Sequence, residues 1–256
     1  MLKNNYGMFY VKMELKVLLA VVLASRLLGA NGLDDLRKSL ERLNVPGKLS
    51  GALSVKASEK FGSGKDFKET SGSASAQIEV GNDGLRVFWD LPQINKFIES
   101  KEKKQSNSAM DKISMSSIYR TLNAAPYLLQ MLRNAQLIKE KADIHMGKPA
   151  QLLEIDMPSE LDDDEGNNKK ASSKKNRTVI GKMWISPEGT PLAFSSSANV
   201  KEKVLLMSVE MSQKRDIKFS LVANRLVITK FEERMQVKGV MGMDTHTSEI
   251  CTFVPK

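Results

Sequence analysis

Alternation of apolar and polar positions dominates the chain. Leu49, Gly51, Leu53, Val55 and Ala57 share one face of an extended segment, and Ser50, Ser54, Lys56 and Ser58 share the other. This is the pattern of an antiparallel strand buried on one side. After Gly62-Ser63-Gly64, the run Phe67 to Val80 is rich in Ser, Ala and Thr, and its weak apolar face reads as an exposed or edge strand. Asn82-Asp83-Gly84 turns the chain, and Leu85, Val87 and Trp89 then oppose Arg86, Phe88 and Asp90. A three-stranded meander ending at Pro92 is expected.

The period changes twice to a helical one. Leu33, Leu36, Leu40 and Leu43 recur at helical spacing, with Asp34 and Asp35 in the first turn and Pro46-Gly47 as the stop, a charge order that suits the helix dipole. Residues 100–112 are polar and Lys-rich and read as a surface loop. Ile113, Ile118 and Leu122 then open a helical segment, and Pro126 is expected to start a second helix carrying Leu128, Leu129, Met131, Leu132, Ala135 and Ile138.

Strands return from Ala142. Ile144 and Met146, Gly147-Lys148-Pro149, and Leu152 to Met157 read as a hairpin, and residues 158–176 as a disordered loop by composition. Val179 to Ile185, the turn Pro187-Glu188-Gly189-Thr190-Pro191 and Leu192 to Val200 follow. Leu205, Met207, Val209 and Met211 form the next strand, with a break at Lys214-Arg215-Asp216 before Ile217, Phe219 and Leu221. Leu226 and Ile228, then Val237 and Val240, then Ser248 to Val254 complete the series. The expected class is α+β, with about 9–11 antiparallel strands and helices between sheet segments.

Residues 1–30 change the compartment. Lys12 and Lys16 precede the uncharged run Val17 to Leu23, and Leu27 to Ala30 close it. A basic segment, a short apolar core and small residues are the parts of a secretory signal, with Met13 as an alternative start. The mature chain is then residues 31–256, expected to be one domain. The whole chain's +9, less the +3 of residues 1–30, leaves it +6. Its charges are scattered and aromatics make up 6%, so no basic patch with interleaved aromatics points to nucleic acid. Cys251 is the only cysteine. It excludes an intrachain disulfide, and residues 24–32 lack the cysteine that a lipid-anchored protein would acylate.

Catalytic motifs are missing. His145 and His246 have no metal-ligand spacing. There is no Gly-x-Ser-x-Gly elbow. Glu232 and Glu233 are adjacent, so in a strand they point to opposite faces and share no proton. Asp162-Asp163-Asp164-Glu165 lacks the ligand order of a calcium loop. The reading is a non-enzyme without a cofactor or metal.

Two segments carry a family likeness: Arg86-Val87-Phe88-Trp89-Asp90-Leu91-Pro92, and Trp184-Ile185-Ser186-Pro187-Glu188-Gly189-Thr190-Pro191-Leu192. With the order of elements they resemble the superfamily of bacterial outer-membrane lipoprotein carrier and sorting proteins. The second segment looks like that family's Trp-Ile-Asp-Pro-x-x-Gly-x-Pro-Leu turn, with Ser186 for the Asp and one residue fewer. The resemblance implies a curved, incompletely closed β-barrel with helices covering its concave face and an apolar cavity between. It implies a monomeric periplasmic carrier of lipid acyl chains or lipoproteins, meeting a membrane-bound donor or acceptor protein. The alternative is a regulatory or protein-binding module of the cell envelope on the same fold; an unrecognised hydrolase is the third reading. The expected cavity residues are Leu53, Val55, Val87, Trp89, Leu205, Met207, Val209, Phe219 and Leu221, with Leu128, Met131 and Leu132 as lid. Methionines such as Met183, Met207, Met211 and Met241 suit an adaptable apolar lining.

Overall fold

The computed structural model describes residues 32–63, 66–81, 83–102, 109–157, 179–204, 207–240 and 243–256. The expected signal segment and the expected loop at 158–176 lie outside them. Ten strands form a single antiparallel sheet in the order β3-β2-β1-β10-β9-β8-β7-β6-β5-β4. They are β1 (Leu49–Ser63), β2 (Asp66–Gly81), β3 (Gly84–Trp89), β4 (Gln136–His145), β5 (Lys148–Met157), β6 (Val179–Ile185), β7 (Pro191–Val204), β8 (Met207–Val222), β9 (Arg225–Val240) and β10 (Met243–Pro255). The end strands β3 and β4 do not pair with each other, so the sheet is open.

Strand register turns the sequence alternation into rows across the sheet. Ala74, Val55, Cys251, Phe231, Ile217, Phe194, Met183 and Leu153 align across eight strands, β2 to β5. Every one of them is buried. This row is the spine of the core, and the helices pack on its side of the sheet.

Five helices lie among the described residues: α1 (Gly32–Arg42), α2 (Leu91–Glu102), α3 (Ala109–Lys112), α4 (Met115–Leu122) and α5 (Ala124–Met131). The spacing of Leu33, Leu36 and Leu40 lets α1 bury one stripe, and it packs on α5 and β4. Polar contacts fix its position. Arg37 Nη2 donates to Leu132 O at 2.8 Å and to Ala135 O at 3.1 Å, and Ser39 Oγ to Gly189 O at 2.7 Å. Ser114 caps α4 by accepting from Ser117 N at 3.1 Å, leaving Ile118 and Leu122 buried as α4 packs on β9 beside α5. No helix among the described residues is long and apolar enough to cross a membrane.

Several expected boundaries move. β2 is exposed over its first half, as expected, but it is not an edge: it lies between β1 and β3, with only Ala74, Ala76 and Ile78, late in the strand, buried. The expected polar loop at 100–112 begins in α2 and ends in α3. The helix around Pro126 starts at Ala124 and stops at Met131; Pro126 is its third residue, within the first turn, where no N–H bond is lost. Ile138 therefore belongs to β4, where it sits at a register shift and is 55% exposed. Lys214-Arg215-Asp216 does not break the chain: β8 is continuous, and so is β9 from Arg225 through Val237. The turn at Pro187 to Thr190 is as expected, with Gly189 at φ 87° and Ser186 N donating to Thr190 O at 2.8 Å.

Candidate functional site

A strand exposes alternate residues on one face, so each helix-side row lies two residues beyond the last. Next to the apolar spine comes the row Ala57, Glu249, Glu233, Arg215, Ser196, Gly181 and Ile155. Its centre is charged. The row after it holds Glu59, Thr247, Met235, Gln213, Ala198 and Val179, and the next holds Phe61, Thr245, Val237, Met211 and Val200. In these two rows Met235, Val237 and Met211 are half-buried and Phe61 is 44% exposed. The helix-side face thus has a packed half under the helices, a charged belt, and a half-covered half rich in Val, Met and Thr.

The belt is hydrogen-bonded. One oxygen of Glu233, Oε1, accepts from Gln213 Nε2 at 2.8 Å, Arg215 Nε at 3.0 Å and Arg215 Nη2 at 2.9 Å. Arg215 Nη1 donates to Tyr127 Oη at 3.5 Å. From α4, Arg120 sets its guanidinium 4.1 Å from the centre of the Phe231 ring and 5.8 Å from that of Tyr127. Such placement partly replaces hydration by the ring's negative face. Arg120 Nε is buried and has no acceptor. Burial pushes the Glu249 carboxyl above its ordinary range, against the pull of Lys112 and Arg120 and with the push of Glu233. Cys251 is buried under α4, and burial raises its thiol to about 11, so it is not a thiolate nucleophile near neutral pH.

A concavity of about 450 Å³ opens on the far face, lined by Lys60, Ser212, Lys214, Arg234, Gln236 and His246 and reached also by Gln213, Met235 and Thr247 of the second row beyond the spine. It is polar. Three of its cations already face carboxylates: Lys60 with Glu69 at 2.9 Å, Lys214 with Asp216 at 3.4 Å, and Arg234 with Glu232. His246 sets its ring edge-on to Phe67 at 5.7 Å, and His145 stacks on Trp184 at 5.2 Å. Among the described residues no group of three His, Cys, Asp or Glu is arranged to hold a metal ion.

The structure divides the expected cavity residues. Leu53, Val55 and Phe219 are buried in the packed core, as are Leu128 and Leu132 of the expected lid. Val87, Trp89 and Met131 are partly buried against the same core. Val209 is half-buried at the far end of β8, in the open half. Leu221 is 45% exposed near the end of β8, just before the Ala223-Asn224 turn and opposite Leu226 of β9. Leu205 lies outside the described residues, and Met207 is placed only as the first residue of β8. Sequence reading missed Arg120, Arg215 and Glu233. Spacing about the hairpin at Ala223-Asn224 would set Arg215 opposite Glu232; the register shift between Lys218 and Phe219 sets it opposite Glu233 instead, and the sequence carries no signal of that shift.

No family model matches the chain, and no curated protein matches it. Solved structures that match include the ywiB protein from Bacillus subtilis, at 6% identity and TM-score 0.18 over 79% of this chain and 92% of that one. A DUF1329 family protein from Desulfovibrio piger matches at 9% identity and TM-score 0.24 over 85% and 89%. MucB, in its complex with MucA(peri), matches at 7% identity and TM-score 0.20 over 87% and 93%. Likeness at this level assigns neither a fold family nor a ligand.

Proposed function

We propose that this chain is a non-catalytic binding protein of the bacterial periplasm that takes acyl chains on the helix-side face of its sheet. The observation that carries the reading is the half-covered apolar surface beyond the charged belt, formed by Met211, Met235, Val237 and Phe61. An acyl chain laid there gains about 0.8 kcal/mol for each buried CH₂, and methionine side chains adapt to it. In this reading the open sheet curls into a concave wall and α4 and α5 form one rim. The signal read in residues 1–30 and the resemblance of the Val87–Pro92 and Trp184–Leu192 segments to lipoprotein carriers support it.

A second reading is a module that binds a protein strand along β4. That edge is ten residues long and open, with Ile138 and Ile144 at 55% and 71% exposure, and open edges pair with extended peptides. Native mass spectrometry of the purified mature protein, with titration of a fluorescent fatty acid, separates the two. A co-purifying lipid or saturable uptake supports the carrier. No lipid and no uptake overturns it.

A further inference from the structure

Resting on the carrier reading, we infer that the ligand is an amphiphile with an anionic head, and that Arg120 holds the head while the chain runs over Met235 and Val237. Two arginines reach the helix-side face beside Phe231, at 4.1 Å for Arg120 and 5.9 Å for Arg215. They are not equivalent. Arg215 is committed to Glu233 through two nitrogens. Arg120 makes no ion pair among the described residues, and its Nε is buried without an acceptor. A buried donor left unmade is costly, and such groups in a folded protein call for an explanation. The ring of Phe231 offsets part of the charge but accepts no hydrogen bond in the guanidinium plane. A carboxylate or phosphate supplies both an opposite charge and in-plane acceptors, which a guanidinium takes in a fork.

The surroundings permit an anion. Of the two nearby carboxylates, Glu233 is matched by Arg215, and Glu249 forms no ion pair with Arg120 among the described residues. The cations facing this point are Arg120, Arg215 and, through its long-range pull on Glu249, Lys112. Distance also fits. Each helix-side position along β9 advances about 7 Å, so Met235 lies two positions, about 13 Å, from Phe231, within reach of a long acyl chain. A neutral alcohol or ester head accepts hydrogen bonds there but leaves the charge unmatched.

The test is competitive displacement of the neutral probe N-phenylnaphthylamine from the full-length mature protein by dodecanoate, dodecyl phosphate and dodecanol. At least one anion is expected to bind about tenfold or more tightly than dodecanol, a difference of about 1.4 kcal/mol; which anion wins distinguishes a fatty-acid source from a phospholipid source. In Arg120→Gln, with an unchanged thermal melt, the anion-to-alcohol ratio is expected to fall to about one, by that same conversion. Arg120→Lys keeps the charge without the fork and is expected to give an intermediate ratio; it carries the test alone if the Gln variant does not fold. Equal affinity for all three ligands, or an anion preference that both variants retain in full, overturns the inference and leaves the carrier reading standing. No displacement by any of the three overturns both.

Discussion

Arg215 and Glu233 stand opposite each other on β8 and β9, and a single Glu233 oxygen accepts from Nε and Nη2 of the arginine at 3.0 and 2.9 Å. The pair is sheltered, with side chains 12% and 27% exposed. It lies one row from the apolar spine, so it marks where the packed core stops and the half-covered surface begins.

Removing one partner of this pair should cost more than replacing both. Glu233→Ala leaves Arg215 and Gln213 without their shared acceptor, and a loss of about 2 kcal/mol is expected for hydrogen bonds to a charged group. The double variant Arg215→Met with Glu233→Leu fills the volume with apolar groups and should recover most of that loss. Urea denaturation of the two single variants and the double variant gives the coupling. A double variant no better than Glu233→Ala would show that the pair does not act as a unit.

Glu249 should make stability depend on pH in the direction opposite to a paired carboxylate. Burial raises its folded pKa above the ordinary 4.5. The ionised form therefore opposes folding. The penalty is absent below the unfolded value, grows as pH rises from there through the raised folded value, and is complete above it. Glu249→Gln is expected to melt higher than the wild type at pH 7 and to lose that advantage at about pH 3.5. Thermal melts at the two pH values decide, and a variant that melts lower at pH 7 would be against it.

Asp143 behaves in the reverse sense. Trp184 Nε1 donates to its Oδ2 and Ile144 N to its Oδ1, both at 2.9 Å. These bonds, the tryptophan's first, hold the carboxyl below its ordinary 3.8. The carboxylate and its bonds are thus complete above the ordinary value and are lost as pH falls through the lowered one. The chain has two tryptophans, so Trp89→Phe isolates the emission of Trp184. That emission should stay constant down to about pH 4 and change only below it, and Asp143→Asn should remove the acid change. A transition already present near pH 5 would contradict the assignment.

Gly51 is required by close approach rather than by backbone angle. A Cβ there would lie 2.5 Å from Val254 O and 2.6 Å from the Phe253 ring. Gly51→Ala is expected to cost about 2 kcal/mol through overpacking. At Gly47 a Cβ would meet nothing within 4 Å, so Gly47→Ala should stay within about 0.5 kcal/mol of the wild type. Paired denaturation curves test the contrast.

Local patterns were readable where a segment's own periodicity decided its burial. The stripe Leu33, Leu36, Leu40 and the alternation Leu49 to Ala57 needed no partner to be seen, and both are buried as expected. The opposite facing of Glu232 and Glu233 was readable for the same reason. Glu232 pairs with Lys230 and Arg234 on one side while Glu233 meets Arg215 on the other. Charge misled where it sat inside a strand. Lys214-Arg215-Asp216 has the composition of a loop, and only the pairing of β8 with β7 and β9 keeps it extended.

The sequence by itself determined the α+β class, the amphipathic first helix, the turn at Gly189 and the absence of a disulfide, because each depends on neighbours within a few residues or on composition. Tertiary structure alone decided which strands lie side by side and therefore which side chains form a row. Leu53 meets Phe253 across β1 and β10, two hundred residues apart in the chain. Arg120 comes to rest on Phe231 because α4 packs over β9. Period two tells which residues share a face, but the register that aligns one strand with the next is set by long-range packing and hydrogen bonding, and the candidate site exists only in that register.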